Sequence, residues 1–209
     1  MDYTVPDWAA VVLPTAASDL RRPLAALLGL HMQAARTVLD AKEPALAQIR
    51  LAWWREEISR DRDHDGKRPV DPLLINLLKF WPKHRSALVA MLDAWEGLLV
   101  EQPWHASTTE AFVGAYGGAF AGLAELCDAT NNSAKAAAHG GAWGRAELAF
   151  AGHLHLDAVR PRLPSLPRSL RALAVIGGLA KRAVNQPGRP MLGDRLIPLV
   201  AIRLGLIGR

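Results

Sequence analysis

The chain has 209 residues, of which 50% are hydrophobic and 22% charged, with a formal net charge of +5. That balance is ordinary for a soluble globular protein, and the length suits one domain with a substantial core. The lone cysteine, Cys127, excludes an intramolecular disulfide and fits a reducing compartment, and no apolar run reaches the length of a membrane span.

Residues 1–8 lack a basic region followed by an apolar one, so no signal peptide is expected and the expected location is the cytoplasm. Ser18 and Asp19 can cap a helix over 20–39. Pro44 suits the first turn of a helix over 44–60. A charged loop follows over 60–70. Asp71-Pro72 opens a short helix ending near Phe80, and Pro82 starts another that reaches about Glu101. Ser107 and Glu110 have capping-box spacing for a helix over 108–129. Asn131-Asn132 marks a turn, and Ser133 caps a long helix to about Val159. Pro161, Pro164 and Pro167 form a stiff connector, because each fixes φ and removes a donor. Helices over 168–184 and 193–206 close the chain. No alternating apolar run of strand length appears, so the expected class is an all-α, single-domain bundle over 1–209.

The most informative stretch is 49–58, where Trp53 and Trp54 stand between Arg50 and Arg55 and lead into Glu56-Glu57. At the helical period, Leu46, Ile49 and Trp53 form one apolar line, and Leu51, Trp54 and Ile58 form the next. So wide an arc suits a helix inside a bundle wall. Either both tryptophans are core, or the wall faces an apolar ligand cavity. Gly114, Gly117, Gly118 and Gly122 weaken the helix that carries them. Together with the glycines and alanines of 134–152, they suit either close helix packing or an apolar tunnel.

Other groups carry less. Glu57, Asp61, Asp63 and Asp65 are interleaved with Arg60, Arg62, Lys67 and Arg68, which suits a solvated loop. His153 and Asp157 share a helical turn and His139 could approach them, a spacing able to chelate a metal; hydrogen-bonded or surface histidines are the expectation. The acid pairs Asp40/Glu43, Asp93/Glu96 and Glu125/Asp128 suit caps and exposed faces. Residues 160–209 carry ten Lys or Arg against Asp194 alone. That segment suits a solvated basic face, or a peripheral membrane or protein partner, and no nucleic-acid partner is expected. Over 192–207, apolar residues interspersed with Arg195 and Arg203 suit a terminal helix docked on the bundle, or one lying in a membrane interface.

Four stretches resemble the squalene/phytoene synthase family, in that family's order. They are Arg22-Pro23-Leu24-Ala25-Ala26-Leu27, the Arg50-Leu51-Ala52-Trp53-Trp54-Arg55 run, Tyr116 with Ala121-Gly122, and Gly144-Arg145-Ala146 followed by Arg162-Leu163-Pro164. The resemblance implies the isoprenoid (terpenoid) synthase fold and an apolar pocket holding an isoprenoid or other lipid. It also implies that Trp53, Trp54 and Tyr116 line the pocket, with Arg50 and Arg145 at its polar mouth. Active members hold Mg²⁺ against a diphosphate with Asp-rich motifs on facing helices. Here the first motif would fall at 33–37, which contains no acid, and the second at 149–157, where Asp157 is the only carboxylate. The expectation is therefore a non-catalytic relative that needs no cofactor and serves as an accessory or assembly factor. The alternative is a Mg²⁺-dependent prenyl transferase with metal ligands at other positions.

Overall fold

Helix α2 (Ser18–Leu39) buries fourteen of its 22 residues and is the element around which the others assemble. Before it stands α1 (Ala9–Val12); after it follow α3 (Pro44–Ser59), α4 (Pro72–Phe80) and α5 (Arg85–Glu96). The second half holds α6 (Ala106–Leu126), α7 (Ser133–Phe150) and α8 (Arg171–Val184). The computed structural model describes residues 3–60, 69–100, 104–150 and 162–184. Among the described residues there is no strand, and the chain is all-α.

Most helix ends fall where the local chemistry puts them. Pro44 and Pro72 open their helices, and the Asp71 carboxylate accepts a hydrogen bond from the Leu74 amide at 2.9 Å. Three ends differ. The N-cap of α2 is Ala17, without a side-chain bond, and Asp19 instead sits in the first turn, where a carboxylate favours the helix dipole. Helix α5 begins at Arg85 rather than Pro82, because Trp81 is fully buried and its indole N–H donates to the Pro23 carbonyl at 3.1 Å. Helix α6 begins at Ala106, where the His105 carbonyl accepts from the Thr108 and Thr109 amides, so Ser107 lies inside the first turn.

Helix α3 packs on α2, α4 and α5, and these neighbours bury one of its two apolar lines. Leu51, Trp54 and Ile58 are core, whereas Leu46, Ile49 and Trp53 are 53%, 65% and 46% exposed. The expected wide buried arc is thus half as wide, since no described element covers the second line. The ring of Trp53 rests edge-on against Trp54, with centroids 5.2 Å apart. The next residue, Arg55, grips Asp93 at 2.7 Å and Glu96 at 2.6 Å, clamping α3 to α5. This pair of acids therefore has a partner across the bundle rather than a capping role.

Small residues seat α7 directly on α6, and no tunnel separates the two. A Cβ at Gly140 would overlap the Tyr116 carbonyl oxygen and come within 2.9 Å of Phe120, and one at Gly144 would sit 3.2 Å from Tyr116 Cβ. Helix α8 closes on α7, where Gly177 lies against the ring of His139. The His139 Nε2–H donates to the Pro164 carbonyl at 2.8 Å, tying α7 to the proline connector. Burial lowers the His139 pKa, so the ring is held neutral and is already committed to packing. Cys127 is half-buried just beyond α6, and burial, with Asp19 and Asp128 nearby, pushes its thiol up to about 12. Such a thiol is inert.

Candidate functional site

A cleft of about 400 Å³ opens between α2, α7 and the segment before α1. Its apolar wall comes from Val5, Pro6 and Trp8, from Met32 and Leu39 on α2, and from Phe150 on α7. Asp7, Arg36 and Asp40 are its charged lining, and His31 and Glu147 are part of its wall. Two larger hollows, of about 640 and 590 Å³, are more open to solvent and have no buried titratable group in their walls.

Behind the cleft lies a chain of buried polar groups set in aromatic rings. Trp95 on α5 donates its indole N–H to the Tyr116 oxygen at 3.1 Å. Tyr116 on α6 stands 2.6 Å from His31 Nδ1. An indole nitrogen only donates, so the Tyr116 oxygen accepts from Trp95, and in the Nε2–H tautomer of His31 the Tyr116 hydroxyl donates to Nδ1. His31 Nε2 faces Glu147 Oε1 at 3.6 Å, too long for a hydrogen bond but close enough for attraction. Glu147 Oε1 accepts the Trp143 indole N–H at 2.7 Å, one helical turn back on α7. Phe112 stacks on Tyr116 at 4.9 Å, and Trp143 meets Tyr116 edge-on at 4.7 Å and Trp8 edge-on at 5.6 Å.

Burial sets the protonation of this chain. It lowers the His31 pKa to about 3, so the imidazole is neutral at pH 7. It raises Tyr116 well above the ordinary range, with Glu147 adding and the Trp95 bond opposing. It pushes the Glu147 carboxyl up to about 7, against the Trp143 hydrogen bond. Near neutral pH, Glu147 therefore exists in both forms. The protonated form can donate a hydrogen bond into the cleft, and the ionised form can accept one.

The five residues singled out from the sequence do not come together. Tyr116 is fully buried and reaches the cleft only through His31. Trp54 is core between α3 and its neighbours, and Trp53 is on the outer face of α3. Arg50 is exposed beside a smaller recess that shares Arg36 and Asp40 with the main cleft, and Arg145 is half-buried on α7. Of the five, none lines the main cleft. The groups that do, His31 and Glu147, carried quiet signals: a histidine inside an apolar helix, and an acid one turn after a tryptophan in a helix of small residues. The acidic loop over 61–65, the His153–Asp157 cluster and the basic segment beyond 184 lie outside the described residues.

The all-helical fold of the described residues is the class of the isoprenoid synthases. A family model for squalene/phytoene synthase matches residues 9–113, half of the chain, and the chain belongs to the squalene/phytoene synthase family. The match contains the Arg22–Leu27 and double-tryptophan stretches, whereas Tyr116 and the Gly144-Arg145-Ala146 stretch lie beyond it. No curated protein and no solved structure matches the chain.

The magnesium that active members use does not fit the described lining of the cleft. Before α1 the lining offers Asp7, and at the C-cap of α2 it offers Asp40 with the guanidinium of Arg36 one turn before it. On α7 it offers Glu147, whose Oε1 already accepts an indole N–H. Among the described residues, no three His, Cys, Asp or Glu side chains converge as a hard divalent cation requires.

Proposed function

We propose that this member of the family binds an apolar, isoprenoid-sized lipid in the cleft between α2 and α7 without transforming it, and acts as an accessory or assembly factor. The observation that carries the reading is the cleft face of α2. Arg36 stands where the family resemblance puts the first carboxylates, and a guanidinium there repels a metal rather than holding it. The apolar walls support a greasy occupant, and about 400 Å³ lies within the range of about 300–1,000 Å³ common for small-molecule sites. The basic excess over 160–209 supports attachment to an anionic membrane surface or an acidic protein partner.

The test is to incubate purified protein with farnesyl or geranylgeranyl diphosphate, Mg²⁺ and a reductant, and to assay released pyrophosphate. No release is expected, while titration with an isoprenoid hydrocarbon quenches tryptophan fluorescence saturably through Trp8, which lines the cleft. Turnover abolished by EDTA would instead make the protein a Mg²⁺-dependent prenyl transferase. Failure of every apolar chain to bind would equally overturn the reading.

A further inference from the structure

We infer that the inner end of the cleft recognises an uncharged oxygen acceptor, such as the carbonyl of a ketone or quinone at the head of an apolar chain. The donor is the Oε2 hydroxyl of protonated Glu147. This inference rests on the cleft being a lipid site and adds the chemistry of the ligand's head.

Five observations converge on it. Glu147 is nearly enclosed, with 15% of its side chain exposed, and it is part of the cleft wall. Its two oxygens differ in employment: Oε1 takes the Trp143 N–H and faces His31, whereas Oε2 has no partner among the described residues. Since Glu147 forms part of the cleft wall, Oε2 is the oxygen left free for whatever fills the cleft. Burial favours the neutral acid, and a neutral acid is a donor at that oxygen. The charges around the cleft agree, since Asp7 and Asp40 outnumber the single guanidinium of Arg36 even with Glu147 neutral. A diphosphate would meet repulsion there, and a carbonyl would not. Burial keeps the His31 imidazole neutral, with its Nε2 3.6 Å from Oε1. Because Oε1 accepts the Trp143 N–H, the proton of the neutral acid belongs to Oε2.

The experiment compares three ligands that share one chain: farnesylacetone, with a carbonyl head; farnesene, with none; and farnesyl diphosphate, with an anionic one. Binding is followed by tryptophan quenching between pH 6 and pH 8.5, on the unsubstituted protein and on Glu147→Gln. At pH 6 farnesylacetone should bind about tenfold more tightly than farnesene, the amount one well-made hydrogen bond supplies. That preference should fade as pH rises through about 7, where Glu147 ionises. Glu147→Gln keeps a donor that does not titrate, so its preference should hold across the range. Glu147 is faced by His31 and shares the cleft with Asp7, Arg36 and Asp40, all of which the variant retains. A pH effect caused by those groups would therefore persist in the variant and overturn the assignment to Glu147. Equal binding of farnesylacetone and farnesene, or preference for the diphosphate, would overturn the inference while leaving a lipid site in place. If none of the three binds, the lipid reading itself fails.

Discussion

His31 Nδ1 and the Tyr116 hydroxyl, 85 positions apart in sequence, meet at 2.6 Å in the centre of the bundle. The contact joins α2 to α6, and the Trp95 indole on the same oxygen brings in α5. Tyr116→Phe keeps the ring and deletes the oxygen, leaving a buried imidazole nitrogen and a buried indole N–H unpaired. The loss should be about 1–3 kcal/mol, read as a lower urea midpoint with an unchanged slope. A variant as stable as the parent would mean that water replaces the hydroxyl.

Stability should depend on pH through Glu147. Its folded pKa, about 7, lies above the ordinary 4.5, so the folded state holds a proton that the unfolded state has lost between those values. Its contribution is complete below pH 4.5 and disappears as pH rises to about 7. His31 works in the opposite sense: its pKa of about 3 against 6.5 makes stability fall as pH drops below 6.5. The two slopes oppose each other between pH 4.5 and 6.5, and Glu147→Gln removes one of them. The stability of that variant relative to the parent should climb by about 2–3 kcal/mol from pH 4.5 to 7 and level off beyond. Denaturant titrations at five or six pH values measure the difference, and a flat difference would place Glu147 in water.

The twin tryptophans should separate sharply on truncation. Trp54 is 5% exposed and Trp53 is 46% exposed. Trp54→Ala opens a core cavity and should cost about 3–5 kcal/mol, whereas Trp53→Ala should cost less than about 1 kcal/mol. Thermal melts of the two variants side by side provide the check.

Two glycines of the same helix pair should respond to alanine with opposite signs. At Gly140 the added methyl group meets the Tyr116 carbonyl and the Phe120 ring, both on a neighbouring helix. Gly140→Ala should destabilise by about 1–3 kcal/mol. At Gly118, on the exposed side of α6, nothing lies within 4 Å, so Gly118→Ala should stabilise by up to about 1 kcal/mol through helix propensity. Circular-dichroism melts are sufficient to see both.

The amino-acid sequence alone determined the helical class and most helix positions, because periodic apolar residues, helix-opening prolines and a capping aspartate act within a few residues of themselves. It also carried the family, through short runs such as 50–55. It left open which of two adjacent apolar lines on α3 would be buried, since that depends on where α2, α4 and α5 sit. The cleft was hidden for the same reason. Its polar wall joins a histidine from α2 to a glutamate from α7, behind which stand a tyrosine from α6 and a tryptophan from α5. Only the packing of those four helices, with α6 and α7 brought together by glycines, sets these groups within reach of one another and removes the water that would otherwise hold Glu147 ionised.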